Sequence, residues 1–342
     1  MSRPVTLDEV ARVAGVSRAT VSRVVNGVAS VDESMRQTVE RAISTTGYFP
    51  NRAARSLVTR RAGSIALMLP EQSRMLGDPF FVRVVSGVMS VLRPSGVHLV
   101  LMMSGADDAQ SSGGDTGTAK QMLADLRQGR LDGVILIHTS HQDPLPQLLI
   151  DEHLPVVLSG RPEHPMSISY VTVDQIAGGA LVAEHLLGRG CRRIATITGP
   201  LDTPAGQDRL MGFRDVMSAH GRDDVVIVEG EFTWDSGAAA MEQLLAECPD
   251  VDGVFIASDL MANGALSVLR RQGRSVPDDV AIVGFDDSSA ALACDPPLTT
   301  VRQPVEDMAA EMARLLLRQV ERTDAPTAAV VFEPTLVIRR SA

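Results

Sequence analysis

With 342 residues, 44% hydrophobic and 22% charged, the chain exceeds the roughly 250–300 residues of a single core and has a globular composition, neither disordered nor fibrous. Its longest apolar runs, such as Ile65 to Leu69 and Val97 to Met103, fall far short of the ~18–20 residues that cross a bilayer, and the opening residues lack an apolar signal region, so a cytoplasmic protein with no membrane partner is expected. The net charge of −10 disfavours nucleic acid for the chain as a whole, yet ten arginines face five carboxylates through residue 62, leaving a head of +5 on a body of −15.

The basic head is therefore where nucleic-acid contacts are expected. Thr6-x-x-Glu9 forms a capping box opening a helix that runs to Ala14. Gly15-Val16-Ser17 supplies a turn, Ser17 can cap a second helix from Arg18 to Val25, and Asn26-Gly27 ends it; this is helix-turn-helix spacing. Leu7, Val10, Ala11, Val13, Ala14, Val16, Val21, Val24 and Val25 are expected inside, with Arg18, Ala19, Ser22 and Arg23 projecting outward. A third helix from Asp32 to Thr45, with Met35, Val39, Ala42 and Ile43 inward, closes the bundle before Gly47-Tyr48-Phe49-Pro50.

From Ser64 onward short apolar strands alternate with helical segments, the pattern of a parallel sheet covered on both faces. Strands are expected at Ser64–Leu69, Val97–Met103, Gly133–Ile137, Pro155–Ser159, Tyr170–Val173, Arg193–Thr198, Val225–Glu229, Gly253–Ala257 and Val280–Phe285. The body also reads as two similar halves, since Ser64-Ile-Ala-Leu-Met-Leu-Pro70 is echoed by Arg193-Ile-Ala-Thr-Ile-Thr-Gly199, and Asp132-Gly-Val-Ile-Leu-Ile137 by Asp252-Gly-Val-Phe-Ile-Ala257. Two lobes facing one another across a cleft would enclose a small molecule between their strand tips. Gly105–Gly117, rich in Ser, Gly and Asp, is expected to be a mobile surface loop. Cys191, Cys248 and Cys294 follow no C-x-x-C spacing and read as buried small residues, and His138 and His141 have no third ligand in view, so neither metal nor cofactor is expected.

The segment Val5-Thr-Leu-Asp-Glu-Val-Ala-Arg-Val-Ala-Gly-Val-Ser-Arg-Ala-Thr-Val-Ser-Arg-Val-Val-Asn26 closely resembles the N-terminus of the lactose-repressor (LacI) family, and Gly47-Tyr-Phe-Pro-Asn-Arg-Ala-Ala-Arg-Ser-Leu57 resembles its hinge. The resemblance continues through Asp78-Pro-Phe-Phe81, Val173-Asp174, Arg209-Leu-Met-Gly-Phe213, Asp259-Leu-Met-Ala-Asn-Gly-Ala-Leu266, Val283-Gly-Phe-Asp-Asp287 and Leu298-Thr-Thr-Val-Arg-Gln-Pro304. It implies a helix-turn-helix domain over residues 1–50, a hinge helix over 51–61, and over 62–342 a two-lobed α/β body like that of periplasmic binding proteins, with parallel sheets. It further implies that the body dimerises, that a ligand alters operator affinity, and that the chain crosses between lobes near Val173, Leu298 and Val330.

By the same resemblance, Thr6, Ser17, Arg18, Ala19, Thr20, Ser22, Arg23 and Asn26 meet DNA from the head, and Asn51, Ala54, Arg55 and Leu57 from the hinge. An arginine fork matches O6 and N7 of guanine, so Arg18 can read a base, although it can equally hold phosphate. Thr20 and Ser22 suit phosphate. Leu57 matches the family's minor-groove wedge, with helix packing as the alternative. Phe80, Phe81, Asp174, Arg209, Phe232, Trp234, Asp259 and Asp286 match effector-binding positions. One of Phe232 and Trp234 is expected to cover a sugar face, and Asp259 is equally suited to a helix cap. Relatives often carry Asn immediately before this Asp, where Ser258 stands here.

These features point to a dimeric regulator of transcription that binds a palindromic operator in double-stranded DNA under control of a small effector, expected to be a sugar, with a nucleoside or purine as the alternative. The chain ends at Arg339-Arg-Ser-Ala342 with no heptad tail to join two dimers. A carbohydrate-binding protein without a DNA role fits the basic head poorly, and a glycosidase using cleft carboxylates lacks any recognisable catalytic motif.

Overall fold

The computed structural model describes residues 5–25, 30–48, 61–69, 78–103, 117–137, 143–162, 164–322 and 324–342. It divides into two compact units, Met1–Ala62 and Gly63–Ala342. Residues 51–60 of the expected hinge, the Gly105–Gly117 loop up to residue 116, and both His138 and His141 lie outside the described residues. Among the described residues no helix is long and apolar enough to cross a membrane.

In the first unit, helices α1 (Leu7–Ala14), α2 (Arg18–Val25) and α3 (Glu33–Thr46) surround a core of Val10, Ala11, Val21, Val24, Val39, Ala42 and Tyr48. The Thr6 hydroxyl accepts from the Glu9 N–H, the Ser17 hydroxyl from the Thr20 N–H, and Asp32 from the Ser34 and Met35 N–H groups, so each helix starts on an oxygen that satisfies an orphan donor. Val13 and Met35, expected inside, are 44% and 40% exposed. Three helices this short enclose one narrow stripe, and both residues stand beside it.

The second unit contains two six-stranded sheets. In the first lobe β1 (Ser64–Leu69), β2 (His98–Met103), β3 (Val134–Leu136), β4 (Val156–Ser159), β5 (Ser169–Val173) and β11 (Ala329–Phe332) lie in the order β2-β1-β3-β4-β5-β11, all parallel. In the second lobe β6 (Ile194–Thr198), β7 (Val226–Glu229), β8 (Gly253–Ile256), β9 (Ala281–Asp286), β10 (Thr299–Arg302) and β12 (Thr335–Val337) repeat that order as β7-β6-β8-β9-β10-β12, with β12 antiparallel. The strand tips around each order reversal are where open α/β sheets bind ligands.

The apolar runs follow from burial on both faces. Along β1, Ile65, Leu67 and Leu69 enter one core cluster and Ala66 enters another. The edge strand β2 differs, because Val100, Leu101 and Met103 stay exposed. The chain passes to the second lobe after Val173, returns to the first only after Arg302, and passes back after Phe332, so neither lobe is continuous. The last two crossings fall a few residues later than Leu298 and Val330 because β10 and β11 extend beyond them.

Helices pack in pairs at glycine. Between α7 (Gln175–Gly188) and α8 (Pro204–Ala219), a Cβ on Gly212 would lie 1.9 Å from the Ile176 carbonyl oxygen, and one on Gly179 2.1 Å from that of Arg209. The helix backbones therefore touch, fixing where α8 delivers Arg209. Adding a methyl at such a contact forces the backbones apart, and Gly212→Ala should destabilise the protein by about 1–3 kcal/mol in urea unfolding. A cost below about 0.5 kcal/mol, the scale of an ordinary surface change, would show that the helices separate freely.

Candidate functional site

On the head, Arg18, Ala19 and Arg23 are exposed, and Thr20 and Ser22 are half-buried. Arg18 lies 3.8 Å from Asp8 with both side chains about two-thirds exposed, a weak pairing that another anion can displace. Thr6 and Ser17 are exposed but already engaged as caps, with Ser17 Oγ also 2.9 Å from Thr20 Oγ1. Asn26, Asn51, Ala54, Arg55 and Leu57 lie outside the described residues.

In the body a cavity opens between the lobes, about 1180 Å³ including its mouth. The wall comes from strand tips, the turns beyond them and the opening turns of the helices that follow. Asp78, Phe80 and Phe81 open α4 (Pro79–Ser95) after β1, Ser159, Gly160 and Arg161 follow β4, and Thr172 lies on β5. From the second lobe come Pro200, Asp202 and Asp208 after β6, Phe232 after β7, Ser258 after β8 and Asp286 at the end of β9. Phe232 has φ 59°, and its ring occupies space that only a glycine leaves, since a Cβ on Gly199 would stand 2.0 Å from it.

Arg209 lies at the centre. Its Nε donates to Gln175 Oε1 at 2.7 Å and its Nη1 to the Ala257 carbonyl at 2.5 Å. The guanidinium carbon stands 3.7 Å from the Phe285 ring centroid and 5.7 Å from that of Phe232, within cation–π range. Nη2 is 3.8 Å from Asp286 Oδ1, too long for a direct hydrogen bond. Asp286 Oδ1 instead accepts from Gln303 Nε2 at 2.5 Å. At the mouth Arg161 of the first lobe pairs with Asp208 of the second at 2.8 Å.

Burial sets the protonation of the carboxyls. It pushes Asp78 up to about 6 against the pull of the Phe80 N–H and Arg209, and Asp259 up to about 7 against hydrogen bonds from Thr300 and Ser288. Burial likewise carries Asp286 well above the carboxylate range, although Arg209 opposes it. Burial also works against the charge of Arg209, but a guanidinium keeps its proton in proteins, so the cost falls on the carboxyls. Asp287 behaves differently: burial pushes it up, but hydrogen bonds from Arg339 and Arg302 outweigh this and hold it below the usual range.

The structure thus brings Phe80, Phe81, Arg209, Phe232 and Asp286 to one cavity, and places three expected residues away from its wall. Asp174 caps α7, accepting from the Ala177 N–H at 2.9 Å. Trp234 opens α9 (Trp234–Glu247), where its indole donates to Asn263 Oδ1. Asp259, at the start of α10 (Asp259–Arg271), is wholly buried behind the cavity between the Ser288 N–H and the Thr300 hydroxyl, and Ser258 supplies the cap. Each of the three stands at a helix start, but only Asp174 is held by its own helix; Trp234 and Asp259 are engaged by residues of other segments. Asp78, Arg161, Asp208, Gln175 and Gln303 were not anticipated; Asp78 and Gln303 stand inside the quoted motifs, whereas nothing local marks Arg161 or Asp208.

Residues 6–51 match the model for bacterial regulatory proteins of the lacI family, and residues 183–342 match that for a periplasmic binding protein-like domain. The HTH-type transcriptional regulator CelR of Thermobifida fusca is 44% identical, with 98% of each chain covered. The ribose operon repressor of Escherichia coli K12 is 31% identical over 98% of this chain and 99% of its own. Among solved structures, a complex of the transcriptional regulator CelR with cellobiose superposes with TM-score 0.76 at 42% identity, covering 99% of this chain and 100% of that one. A lac repressor dimer bound to operator and an anti-inducer superposes with TM-score 0.83 at 27% identity, covering 99% of each. This chain belongs to the lacI family of bacterial regulatory proteins.

Proposed function

We propose that the chain is a transcriptional repressor whose dimer binds a two-fold-symmetric operator through its helix-turn-helix heads, and whose operator affinity is set by a neutral sugar of the cellobiose type held between the lobes. The observation that carries this reading is the cavity, where aromatic rings flank a buried guanidinium and carboxyls that can donate to and accept from hydroxyls. Asp78, Asp202, Asp208 and Asp286 outnumber Arg161 and Arg209 there, which disfavours a phosphorylated sugar. The similarity to CelR, solved with cellobiose, supports the choice of ligand.

The domain reading keeps residues 1–50 as the DNA-binding head, 51–61 as the hinge and 62–342 as the effector and dimerisation body. The exposed apolar residues of β2 supply a surface for a second copy. Asp259 is held behind the cavity by Thr300 and Ser288, and Asp286 is held by Gln303, so we read Asp286 as a binding group and Asp259 as its structural neighbour, and expect no turnover of cellobiose.

A duplex selected from random sequence should be palindromic, with half-sites about one helical turn apart. Arg18→Ala should cost about 1–3 kcal/mol of operator binding in fluorescence anisotropy and relax preference at one base pair, and Leu57→Ala should weaken the operator while sparing cellobiose. A loss that is the same for every duplex would return Arg18 to phosphate contact. In calorimetry, Arg209→Ala and Asp286→Ala should each weaken cellobiose by about 1.5–3 kcal/mol, roughly 10- to 150-fold. Unchanged affinity in both would remove the cavity as the sugar site.

A further inference from the structure

The effector cavity accounts for the carboxyl of Asp286 but not for the guanidinium that grips its backbone. Arg83 stands on α4 of the first lobe, one turn beyond Phe80. Its Nε and Nη2 each lie 2.8 Å from an oxygen of Glu306, a fork-on-fork pairing within the first lobe. Its Nη1 reaches across to donate to the Asp286 carbonyl at 3.0 Å, and Nη2 donates to the Gln303 carbonyl at 3.3 Å. Gln303 is the crossover residue whose amide holds the Asp286 carboxyl.

Both ends of this link are constrained. Glu306 lies in the first turn of α12 (Val305–Glu321), and a Cβ on Gly87 of α4 would stand 2.3 Å from the Glu306 carbonyl oxygen, so α4 and α12 are locked where the pair forms. On the other side Asp286 has φ 113° and Asp287 φ 49°, backbone that aspartate seldom adopts and that surrounding contacts must hold. Arg302 and Arg339 hold the Asp287 carboxylate from the second lobe. Arg83 holds the Asp286 carbonyl from the first.

We infer that Arg83, fixed by Glu306, is a positioning residue that sets Asp286 for the effector and ties the two lobes together, so that occupancy of the cavity is transmitted to the first lobe through α4. The inference rests on the effector reading given above. One planar fork serves a carboxylate and two carbonyls at once, which a lysine ammonium on a flexible stem cannot reproduce.

The test uses the full chain with Arg83→Met, Arg83→Lys and Glu306→Gln. Spin labels at Leu148→Cys in the first lobe and Met211→Cys in the second, both exposed positions while the native cysteines are buried, report the distance between lobes when doubly labelled chains are diluted into unlabelled protein. Without any sugar, Arg83→Met and Glu306→Gln should shift and broaden that distance, and Arg83→Lys should not restore it. With cellobiose as probe, Arg83→Met should weaken binding about tenfold and cut the ratio of operator affinities with and without sugar at least about fivefold. A residue that only packs would lower the melting temperature and leave that ratio intact. Unchanged label distances, or an unchanged operator response, overturns the inference. A wild-type chain indifferent to cellobiose contradicts the effector reading instead, and the label distances then decide the role of Arg83 alone.

Discussion

The guanidinium of Arg209 has been taken out of water into the cleft between two lobes, and much of the body is arranged around holding it there. Removing such a charge from solvent costs several kcal/mol unless hydrogen bonds and opposite charge compensate. Gln175, the Ala257 carbonyl, the faces of Phe285 and Phe232, and Asp286 supply that compensation from four different segments. The three carboxyls nearby exceed what one cation can neutralise, and burial keeps them partly protonated. The result is a cavity with donors and acceptors in quantity but little net charge to spare, which suits hydroxyls better than phosphate.

The repeated strand order makes this cleft available. Because both sheets follow the same order, each lobe presents its carboxyl tips toward the other, and three crossovers keep the lobes together without making either continuous. Backbone contact at Gly179 and Gly212 then places Arg209 and Gln175 side by side. Arg161–Asp208 and Arg83–Asp286 bridge the lobes beside the cavity, so what happens at Asp286 is felt in both.

Much of this is legible in the sequence. Caps at Thr6 and Ser17 declare themselves by spacing, and short runs rich in apolar and β-branched residues mark strands whether buried on both faces, as β1 is, or exposed at an edge, as β2 is, so the first nine strands lie within a residue or two of their expected bounds. Strands β10 and β12 mix threonine with apolar residues, and β11, though wholly apolar, follows a long helix with no repeat of the earlier strand motifs to mark it; the fold identifies all three. Within the site, aromatics beyond strand tips and the arginine of α8 were readable because their motif is local. Asp174 and Asp259 stand off the cavity wall for different reasons, since Asp174 caps its own helix whereas Asp259 turns to the Ser288 N–H and the Thr300 hydroxyl, and the sequence does not show which way either side chain turns. Arg161 and Asp208 meet only through tertiary folding, 47 positions apart, and no local signal could pair them.

The balance of charge around Arg209 is open to direct measurement at Asp78, whose cap to the Phe80 N–H an asparagine can keep. Folding raises this carboxyl from its ordinary 3.8 to about 6. The folded state therefore binds more protons than the unfolded chain between those values, and the associated stability is complete below the lower one and lost as pH climbs through the upper. The melting temperature of the sugar-free protein, followed beside Asp78→Asn from about pH 7.5 down to about pH 5, should show the wild type gaining on the variant by a few degrees as acid is added. If Asp78 instead met Arg209 as a full carboxylate, wild type and variant would run parallel over this range, the wild type losing ground only as the pH fell toward 3.8 and below, and the charge balance described here would be wrong.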